Sequence, residues 1–222
     1  MLVMEGRVDK SSQSASASYL NESASARLRE QLVVIGASAG GPTALASILR
    51  VLPVPFPASI VIVQHINASF AVGMAEWLSL HSHLPVRIAE TADRLAPGSV
   101  LMAGTDAHLV LASPWTLGYA YDPRGAVYCP SIDVFFQSVL QRWNGGVAGV
   151  LLTGMGRDGA QGLKMLRDAG AFTIAQDEAS SAVYGMPNAA ATLGAATEIL
   201  PLNAIGSRVA QLLQSGLPTL RR

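Results

Sequence analysis

The chain has 222 residues, with 15 Lys and Arg against 15 Asp and Glu, so its formal net charge is zero. This length favours one domain or at most two. A neutral balance argues against a protein that binds nucleic acid or an acidic membrane, because both need a basic excess. Half of the residues are hydrophobic and only 14% are charged, which excludes a disordered chain.

The cysteine count and the distribution of apolar segments indicate the cellular compartment of the protein. Cys129 is the only cysteine, which rules out a disulfide within the chain and fits a reducing compartment. Residues 1–30 lack the apolar region of a signal peptide. The longest stretch without a charged residue, 51–75, contains three prolines and is a poor membrane span. We therefore predict a cytoplasmic protein without membrane insertion.

Composition divides the chain into three parts. Residues 1–30 are rich in Ser and Ala, and are predicted to form a flexible N-terminal tail. Residues 31–216 carry the apolar patterning of a folded domain, and residues 217–222 are expected to be a C-terminal tail.

Short apolar runs alternate with helical patterns from residue 31 onward. Four helices are predicted at 42–51, 131–142 (with Ser131 as the N-cap), 159–169 and 204–213. Continuous apolar runs predict strands at 32–35, 60–63, 147–152, 172–175 and 198–200. Buried strands that alternate with helices indicate an α/β fold, in which helices cover both faces of a parallel sheet. In the middle, the runs 100–103, 108–112 and 116–121 are punctuated by turns and predict an antiparallel hairpin region attached to that sheet.

The first chemical signal is the segment 36–41, which follows a strand and opens a helix. It matches G-x-S-x-G, in which a serine on a tight strand-to-helix turn is exposed as a nucleophile. Backbone N–H groups at the start of the helix can then stabilise an oxyanion. The alternative is a glycine-rich phosphate or dinucleotide turn in which Ser38 is incidental.

Two further polar side chains follow predicted strands. His65 comes after the run 60–63 and could act as the base for Ser38. Asp158 lies in the glycine-rich segment that follows the run 147–152, although an Asp before a helix is also an ordinary N-cap. Ser, His and Asp at three strand ends form a triad constellation. Their order in the chain differs from the Ser, Asp or Glu, His order of the usual α/β-hydrolases.

Other candidates carry less weight. A hydrolase with the usual order would need Asp93 or Asp106 with His108. Cys129 has no His neighbour in sequence and is interpreted as a loop or packing thiol. Asp177 and Glu178 are expected to be a solvated pair. The four histidines have no spacing typical of metal ligands, and His81, His83 and His108 are interpreted as hydrogen-bonded surface or core residues.

Several long motifs in order give the chain a family resemblance. They are VVIGASAGGPTAL around Ser38, VQHI at His65, CPSIDVFF from Cys129, LLTGMGRDGAQGL around Asp158, and AQDEASSAVYGMPNAA from Ala175. With these motifs the chain resembles the catalytic domain of the bacterial chemotaxis protein-glutamate methylesterases, the CheB family. The resemblance covers about residues 31–202.

The resemblance implies a doubly wound, mostly parallel sheet with an antiparallel hairpin. It also implies that Ser38, His65 and Asp158 are the catalytic triad, and that backbone N–H groups of Ala39 and Met155 bind the oxyanion. The implied reaction is hydrolysis of glutamate γ-methyl esters on the cytoplasmic part of a chemoreceptor, with glutamine deamidation as a related activity. No cofactor or metal is needed, no nucleic acid is involved, and a monomer is expected.

Departures from the family pattern concern residues near the site and the N-terminus. The family commonly has Thr at the place of Ala39, Pro at the place of Asn67, and a basic residue at the place of Asn188. Most members also have a phosphorylatable receiver domain before the catalytic domain. Thirty residues are too few for such a domain, so we expect a chain without one, whose turnover is unaffected by small phosphodonors. The alternative is an excised catalytic domain, in which residues 1–30 are the remnant of an interdomain linker.

Two other function classes remain open from the sequence. One is a nucleotide-binding α/β enzyme that uses the turn 36–41, although the next strand ends in Gln64 and His65 and offers no carboxylate for a ribose. The other is a catalytically dead adaptor that keeps only a receptor-binding surface. A cofactor titration and a methanol-release assay discriminate these classes from the esterase.

Overall fold

A computed structural model describes residues 31–122 and 127–221. The predicted tail at 1–30 lies outside the described residues. The strands are β1 (Gln31–Ala37), β2 (Ser59–Gln64), β3 (Val86–Ile88), β4 (Val100–Met102), β5 (His108–Ser113), β6 (Thr116–Ala120), β7 (Gly146–Leu151), β8 (Phe172–Gln176) and β9 (Glu198–Leu200). The helices are α1 (Gly41–Leu49), α2 (Ala68–Leu80), α3 (Ile132–Arg142), α4 (Ala160–Asp168), α5 (Met186–Thr192) and α6 (Leu202–Ser215).

A parallel sheet forms the middle layer, in the order β3-β4-β2-β1-β7-β8-β9. Side chains of β1 alternate between two buried cores: Val33 and Ile35 face one, while Leu32 and Val34 face the other. Helices α1, α2 and α6 cover the first core. Helices α3, α4 and α5, together with the β5–β6 hairpin, cover the second. This confirms the predicted α/β fold with helices on both faces.

The prediction for residues 100–103 was wrong. These residues form β4, which pairs in parallel with both β2 and β3 inside the main sheet. Among the strands of the described part of the chain, only β5 and β6 pair with each other in antiparallel orientation. Val100 and Met102 belong to one core and Leu101 to the other, and such a short continuous run carries no alternation that distinguishes a sheet-centre strand from a hairpin strand.

Helix α2 was not predicted because its apolar residues are spread around the helix. Ala71 and Leu78 are buried, but Phe70, Val72 and Leu80 are exposed. An amphipathic helix shows one apolar stripe, and here the exposed apolar residues hide it. Strand β3 and the short helix α5 also went unpredicted.

The C-terminal segment packs on the sheet, where the sequence predicted a tail from residue 217. Leu217 is buried and its N–H donates to the side chain of Gln31, while Thr219 forms a bridge with Gly146. The N–H of Arg221 donates to the carbonyl of Ala169. These contacts extend the folded unit beyond 216, because the amino ends of β1 and β7 need partners for their polar groups. Among the described residues, no helix is long and apolar enough to cross a membrane.

Candidate active site

The site lies where the chain leaves β1, β2 and β7 at the carboxyl edge of the sheet. Strand β1 is flanked by β2 on one side and β7 on the other, so their following loops meet at the topological switch point, where open α/β sheets bind ligands. The N–H of His65 donates to the carbonyl of Ala37 at 3.0 Å, and the N–H of Ser38 donates to the carbonyl of Thr153 at 3.0 Å. Backbone hydrogen bonds thus join all three loops.

The turn that carries Ser38 is closely packed by the protein itself. Gly40 has a φ of +79°, and a Cβ placed there would lie 2.5 Å from the Cβ of Ala182. A Cβ at Gly36 would lie 2.5 Å from Cγ2 of Ile132. The glycines are therefore explained by internal packing and by a left-handed backbone, which weakens the interpretation of the turn as a phosphate cradle. Ser38 itself is half-buried.

Gln64, which sequence reasoning passed over, joins the Ser38 turn to the His65 turn. Its Nε2 donates to the carbonyl of Ser38 at 2.9 Å and to the carbonyl of His65 at 3.1 Å. The side chain is buried, and its Oε1 has no hydrogen-bond partner among the described residues. Its position directly before the candidate base was the only available signal.

Asp158 does not cap the helix that it precedes. Helix α4 has Gly159 as its N-cap, with φ +87° and no side-chain hydrogen bond. The carboxylate of Asp158 instead accepts the N–H groups of Ile132 at 2.7 Å and Asp133 at 3.1 Å, and the hydroxyl of Ser131 at 2.8 Å. It therefore binds the N-terminus of α3, where Ser131 is the predicted N-cap and also accepts the N–H of Val134.

The same carboxylate of Asp158 accepts Nε2–H of His65 at 2.8 Å. Burial alone would raise the pKa of Asp158, but the hydrogen bonds from His65, Ile132, Asp133 and Ser131 outweigh it and hold that pKa below its usual range. Asp158 is therefore an anion at neutral pH. An ionised carboxylate only accepts hydrogen bonds, so the proton of a neutral His65 ring lies on Nε2 and the lone pair on Nδ1.

Stacking and burial fix the His65 ring. It stacks on Tyr128 with ring centroids 4.4 Å apart and planes inclined by 7°. Its Nδ1 is buried and has no hydrogen-bond partner in the described part of the chain. No hydrogen bond joins Ser38 to this ring among the described residues, so the structure brings His65 and Asp158 into contact and places Ser38 on the neighbouring strand end. Tyr128 carried no signal of its own in the sequence beyond lying next to Cys129.

A second carboxylate lies beside Asp158. Asp133 accepts the N–H of Gly162 at 2.6 Å, and in this way links α3 to α4. Burial raises its pKa to about 6, helped by the negative charge of Asp158 and opposed by the hydrogen bond from Gly162. The site edge therefore contains one carboxyl group with a lowered pKa and one with a raised pKa.

The candidate oxyanion donors have no hydrogen-bond acceptor among the described residues. Neither the N–H of Ala39 nor that of Met155 donates a hydrogen bond within residues 31–122 and 127–221. The carbonyl of Gly154 accepts the N–H groups of Gly185 and Met186, so these two hydrogen bonds hold the loop before Met155 against the start of α5. The Met155 side chain is 67% exposed.

A cleft of about 330 Å³ opens beside His65 and is lined by Ile66, Asn67, Asp106, Tyr128 and Cys129. Cys129 is exposed, and its thiol donates to the carbonyl of Asp106 at 3.0 Å. Burial and the charge of Asp106 raise the pKa of this thiol, which disfavours the thiolate that a cysteine nucleophile needs.

The remaining candidates have structural partners. Nδ1 of His108 accepts the N–H of Ser131 at 3.1 Å, which makes it a core histidine. Asp93 forms a two-pronged ion pair with Arg87, and Asp177 accepts both the N–H and the hydroxyl of Ser180. Among the described residues, no group of His, Cys, Asp and Glu is arranged to hold a metal ion.

The fold and this edge define an α/β protein with Ser, His and Asp at adjoining strand ends. Comparison with known proteins agrees. The family model described as CheB methylesterase matches residues 33–209. The chain belongs to the CheB methylesterase family.

Similar proteins carry enzyme names. A Pseudomonas syringae protein named protein-glutamate methylesterase/protein-glutamine glutaminase 2 is 59% identical over 184 residues, which is 83% of this chain and 55% of that protein. A Bordetella avium protein named protein-glutamate methylesterase/protein-glutamine glutaminase 1 is 61% identical over 178 residues, 80% of this chain and 52% of its own length. The chain thus spans about half the length of the curated relatives that it matches.

A solved structure covers nearly the same region. The crystal structure of the Thermotoga maritima CheB methylesterase catalytic domain superposes with a TM-score of 0.78 at 33% identity. The match covers 82% of this chain and 97% of that one. The chain therefore has the fold of that catalytic domain.

Proposed function

We propose that this chain is a cytoplasmic serine hydrolase that removes methyl groups from glutamate γ-methyl esters of chemoreceptors and releases methanol. The observation that carries the proposal is the hydrogen bond between Nε2 of His65 and Asp158, one strand away from Ser38. This bond leaves the other ring nitrogen with a lone pair at the strand end next to a candidate nucleophile. The family and the names of the relatives support the same reaction.

In the first half of the reaction, the hydroxyl oxygen of Ser38 attacks the ester carbonyl. Nδ1 of His65 takes the hydroxyl proton, and Asp158 stabilises the resulting imidazolium through Nε2–H. Backbone N–H groups of Ala39 and Met155 bind the negative oxygen of the tetrahedral intermediate. One such donor contributes about 3 kcal/mol to transition-state stabilisation.

The second half regenerates the enzyme. His65 gives its proton to the leaving methoxide, so that methanol departs and a glutamyl–serine ester remains. Water then attacks this ester with His65 as the base, and the products are a free glutamate carboxylate and the Ser38 hydroxyl. Stacking on Tyr128 keeps the ring in one orientation through both transfers, and no metal or cofactor takes part in any step.

Glutamine deamidation is the second candidate activity, because the names of the relatives join it to methylesterase activity. The same attack on a side-chain amide would release ammonia in place of methanol. His65 would then protonate the amine leaving group, which is the more demanding step because an amide nitrogen leaves less readily than an alkoxide.

Methanol release from a methylated chemoreceptor tests the proposal. Wild-type chain should release methanol, Ser38→Ala should lose nearly all of this activity, and Ser207→Ala on an exposed helix surface should behave like wild type. Ammonia release from the same receptor measures the second activity in parallel. Equal methanol release by wild type and Ser38→Ala would contradict the assignment of the nucleophile, and the absence of release by wild type would favour a non-catalytic adaptor.

A further inference from the structure

An apolar groove runs along the exposed side of α2. We call it the α2 groove and define it by the lining residues Pro42, Ile66, Phe70, Gly73 and Trp77. It has a volume of about 410 Å³. No charged side chain lines it among the described residues, so its chemistry suits an apolar group and not an anion or a cation.

The aromatic side chains of the α2 groove are exposed although α2 already packs on the core through its other side. The opposite side of the helix already buries Ala71, Ala75 and Leu78 in the core. Phe70 is nevertheless 68% exposed and Trp77 39% exposed. They lie two turns apart on one stripe, with Gly73 between them as the floor. Large aromatic side chains that border a concave apolar surface are typical of interaction sites.

The groove adjoins the cleft beside His65 through one shared residue. Ile66 follows His65 directly and lines both the α2 groove and the cleft beside the His65 ring. Pro42 lies in the first turn of α1, four residues after Ser38. Any macromolecule that brings a side chain to Ser38 and His65 therefore extends over, or close to, this groove.

We propose that the α2 groove binds an apolar side chain that lies next to the methylated glutamate on the surface of the substrate protein. This inference rests on the proposed function. The ester carbon of a glutamate lies close to its own main chain, so the substrate segment around it must approach the surface around Ser38. If that segment is helical, residues three and four positions away lie on the same face as the glutamate. The groove would thus select esters that have an apolar neighbour at that spacing.

Gly73 offers a way to close the groove without moving the helix. A Cβ built at this position meets no atom within 4 Å, so a large side chain has room there. Gly73→Trp would occupy the floor between Phe70 and Trp77. Val72→Trp is the matched control, because it adds the same side chain to the exposed surface of α2 at a position that does not line the groove.

The experiment measures methanol release from methylated receptor and from a small capped glutamate γ-methyl ester that has no neighbouring residues. On the receptor, Gly73→Trp should lower kcat/KM by about ten-fold or more, mainly through KM, since burial of one apolar side chain is lost. On the small ester it should match wild type. Val72→Trp should match wild type on both substrates, and thermal melting checks that all variants are folded.

The outcomes separate the two proposals. Normal turnover of the receptor by Gly73→Trp would overturn the groove assignment. It would favour another domain or a second copy of the chain as the occupant of the groove. An equal loss on the receptor and on the small ester would also overturn it, because the change would then have damaged the site itself. Failure of the wild-type chain to release methanol from either substrate would overturn the proposed function and, with it, this inference.

Discussion

At the scale of single residues, Asp158 joins the candidate chemistry to the fold. Its two oxygens accept four donors: Nε2–H of His65, the hydroxyl of Ser131, and the N–H groups of Ile132 and Asp133. Three of these donors belong to the start of α3, where unpaired N–H groups favour an anion. A single carboxylate therefore orients the His65 ring and also satisfies the N-terminus of a helix.

Asp158→Asn should lower activity by about 10⁴-fold, in line with the equivalent change in a serine protease triad. An amide nitrogen in place of one oxygen favours the opposite His65 tautomer, in which Nδ1 carries the proton and cannot act as a base. Unlike a simple N-cap, for which Asn would be an adequate replacement, this site needs acceptors on both oxygens. We therefore expect a stability loss of about 1–3 kcal/mol, measured by denaturant unfolding.

The control for Asp158→Asn is Asp168→Asn, which removes an exposed carboxylate paired with Lys164. It should leave methanol release unchanged and alter stability little, because exposed ion pairs contribute little. Near-normal turnover by Asp158→Asn in a folded protein would contradict the orienting role.

The raised pKa of Asp133 predicts that its contribution to stability falls as pH rises, whereas the contribution of a carboxylate with a lowered pKa increases. Its pKa is about 6 in the folded chain, above the ordinary value of about 4 for an unfolded chain. Between these two values the folded state binds more protons than the unfolded state, so stability falls as pH rises, and the loss persists above pH 6. Asp158 is the charged group that faces it.

Asp133→Asn should remove this loss, because an amide keeps an acceptor for the N–H of Gly162 and carries no charge. We expect the variant to melt above wild type at pH 7–8, by about 2–4 °C for each kcal/mol of relieved destabilisation, and to approach or fall below wild type near pH 4. Thermal melts from pH 4 to 8 measure the difference. A difference that does not change with pH would contradict the raised pKa.

At the scale of elements, each polar residue of the site is positioned by the junction between a strand and a loop. The β1 and β2 junctions are joined by backbone bonds and by the Gln64 side chain. The β7 junction follows a tighter path, since Gly156 and Gly159 both have positive φ. The separation between Ser38 and the His65 ring depends on these junctions and not on the strands alone.

Gln64→Leu should lower kcat by about 10- to 100-fold with little change in KM, because small misplacements of reacting groups carry penalties of this size. The fold should survive, since the carbonyl of Ser38 keeps its hydrogen bond from the N–H of Gly41. The change also removes Oε1, which has no hydrogen-bond partner in the described part of the chain. Steady-state methanol release separates kcat from KM. Gln141→Leu, on the exposed end of α3, is the control and should match wild type. A loss confined to KM would contradict a positioning role.

Two glycine-to-alanine changes should have opposite effects on stability. Gly159→Ala forces a side chain into a left-handed backbone, with its Cβ 2.6 Å from both Ile132 and Leu151. We expect a loss of about 2–4 kcal/mol. Gly73→Ala, in the open part of α2, should raise stability by about 0.5–1 kcal/mol. Denaturant unfolding measures both, and equal effects would contradict this account of the β7–α4 turn.

At the scale of the whole molecule, the sheet is closed at the amino ends of its central strands by the C-terminal segment. Leu217 N donates to Gln31 on β1, and Pro218 O accepts the N–H of Val147 on β7. Burial of Leu217 covers the same edge. The two ends of the described region therefore stabilise each other across the fold, on the side of the sheet opposite to the candidate site.

Truncation after Gly216 should lower the melting temperature, because it removes the buried side chain of Leu217 and exposes the surface that this side chain covers. It also leaves the side chain of Gln31 and the N–H of Val147 without these partners. The expected loss is about 2–4 kcal/mol for the apolar burial and hydrogen bonds together. Activity per folded molecule should persist, since the candidate site is at the other edge. Thr219→Ala, whose side chain is exposed, is the control and should melt like wild type. An unchanged melting temperature on truncation would contradict a role for this segment in stability.

The sequence by itself determined the layers of this protein and the loops that carry its polar residues. Continuous apolar runs followed by helical spacing specify a parallel sheet between helices, and the motif at 36–41, His65 and Asp158 all follow such runs, so their shared edge could be predicted. Local pattern could not place β4, because Val100, Leu101 and Met102 are buried on both faces and such a run is compatible with more than one partner.

Only the tertiary structure decided what each of these residues contacts. In the folded chain, Asp158 accepts hydrogen bonds from α3 and from His65 and does not cap α4. Tyr128 stacks on the His65 ring, and the side chain of Gln64 joins the Ser38 turn to the His65 turn. The tertiary structure also leaves Phe70 and Trp77 exposed beside Ile66. These contacts join residues far apart in the chain, whereas hydrophobic periodicity and capping preferences report only on neighbours within a few positions.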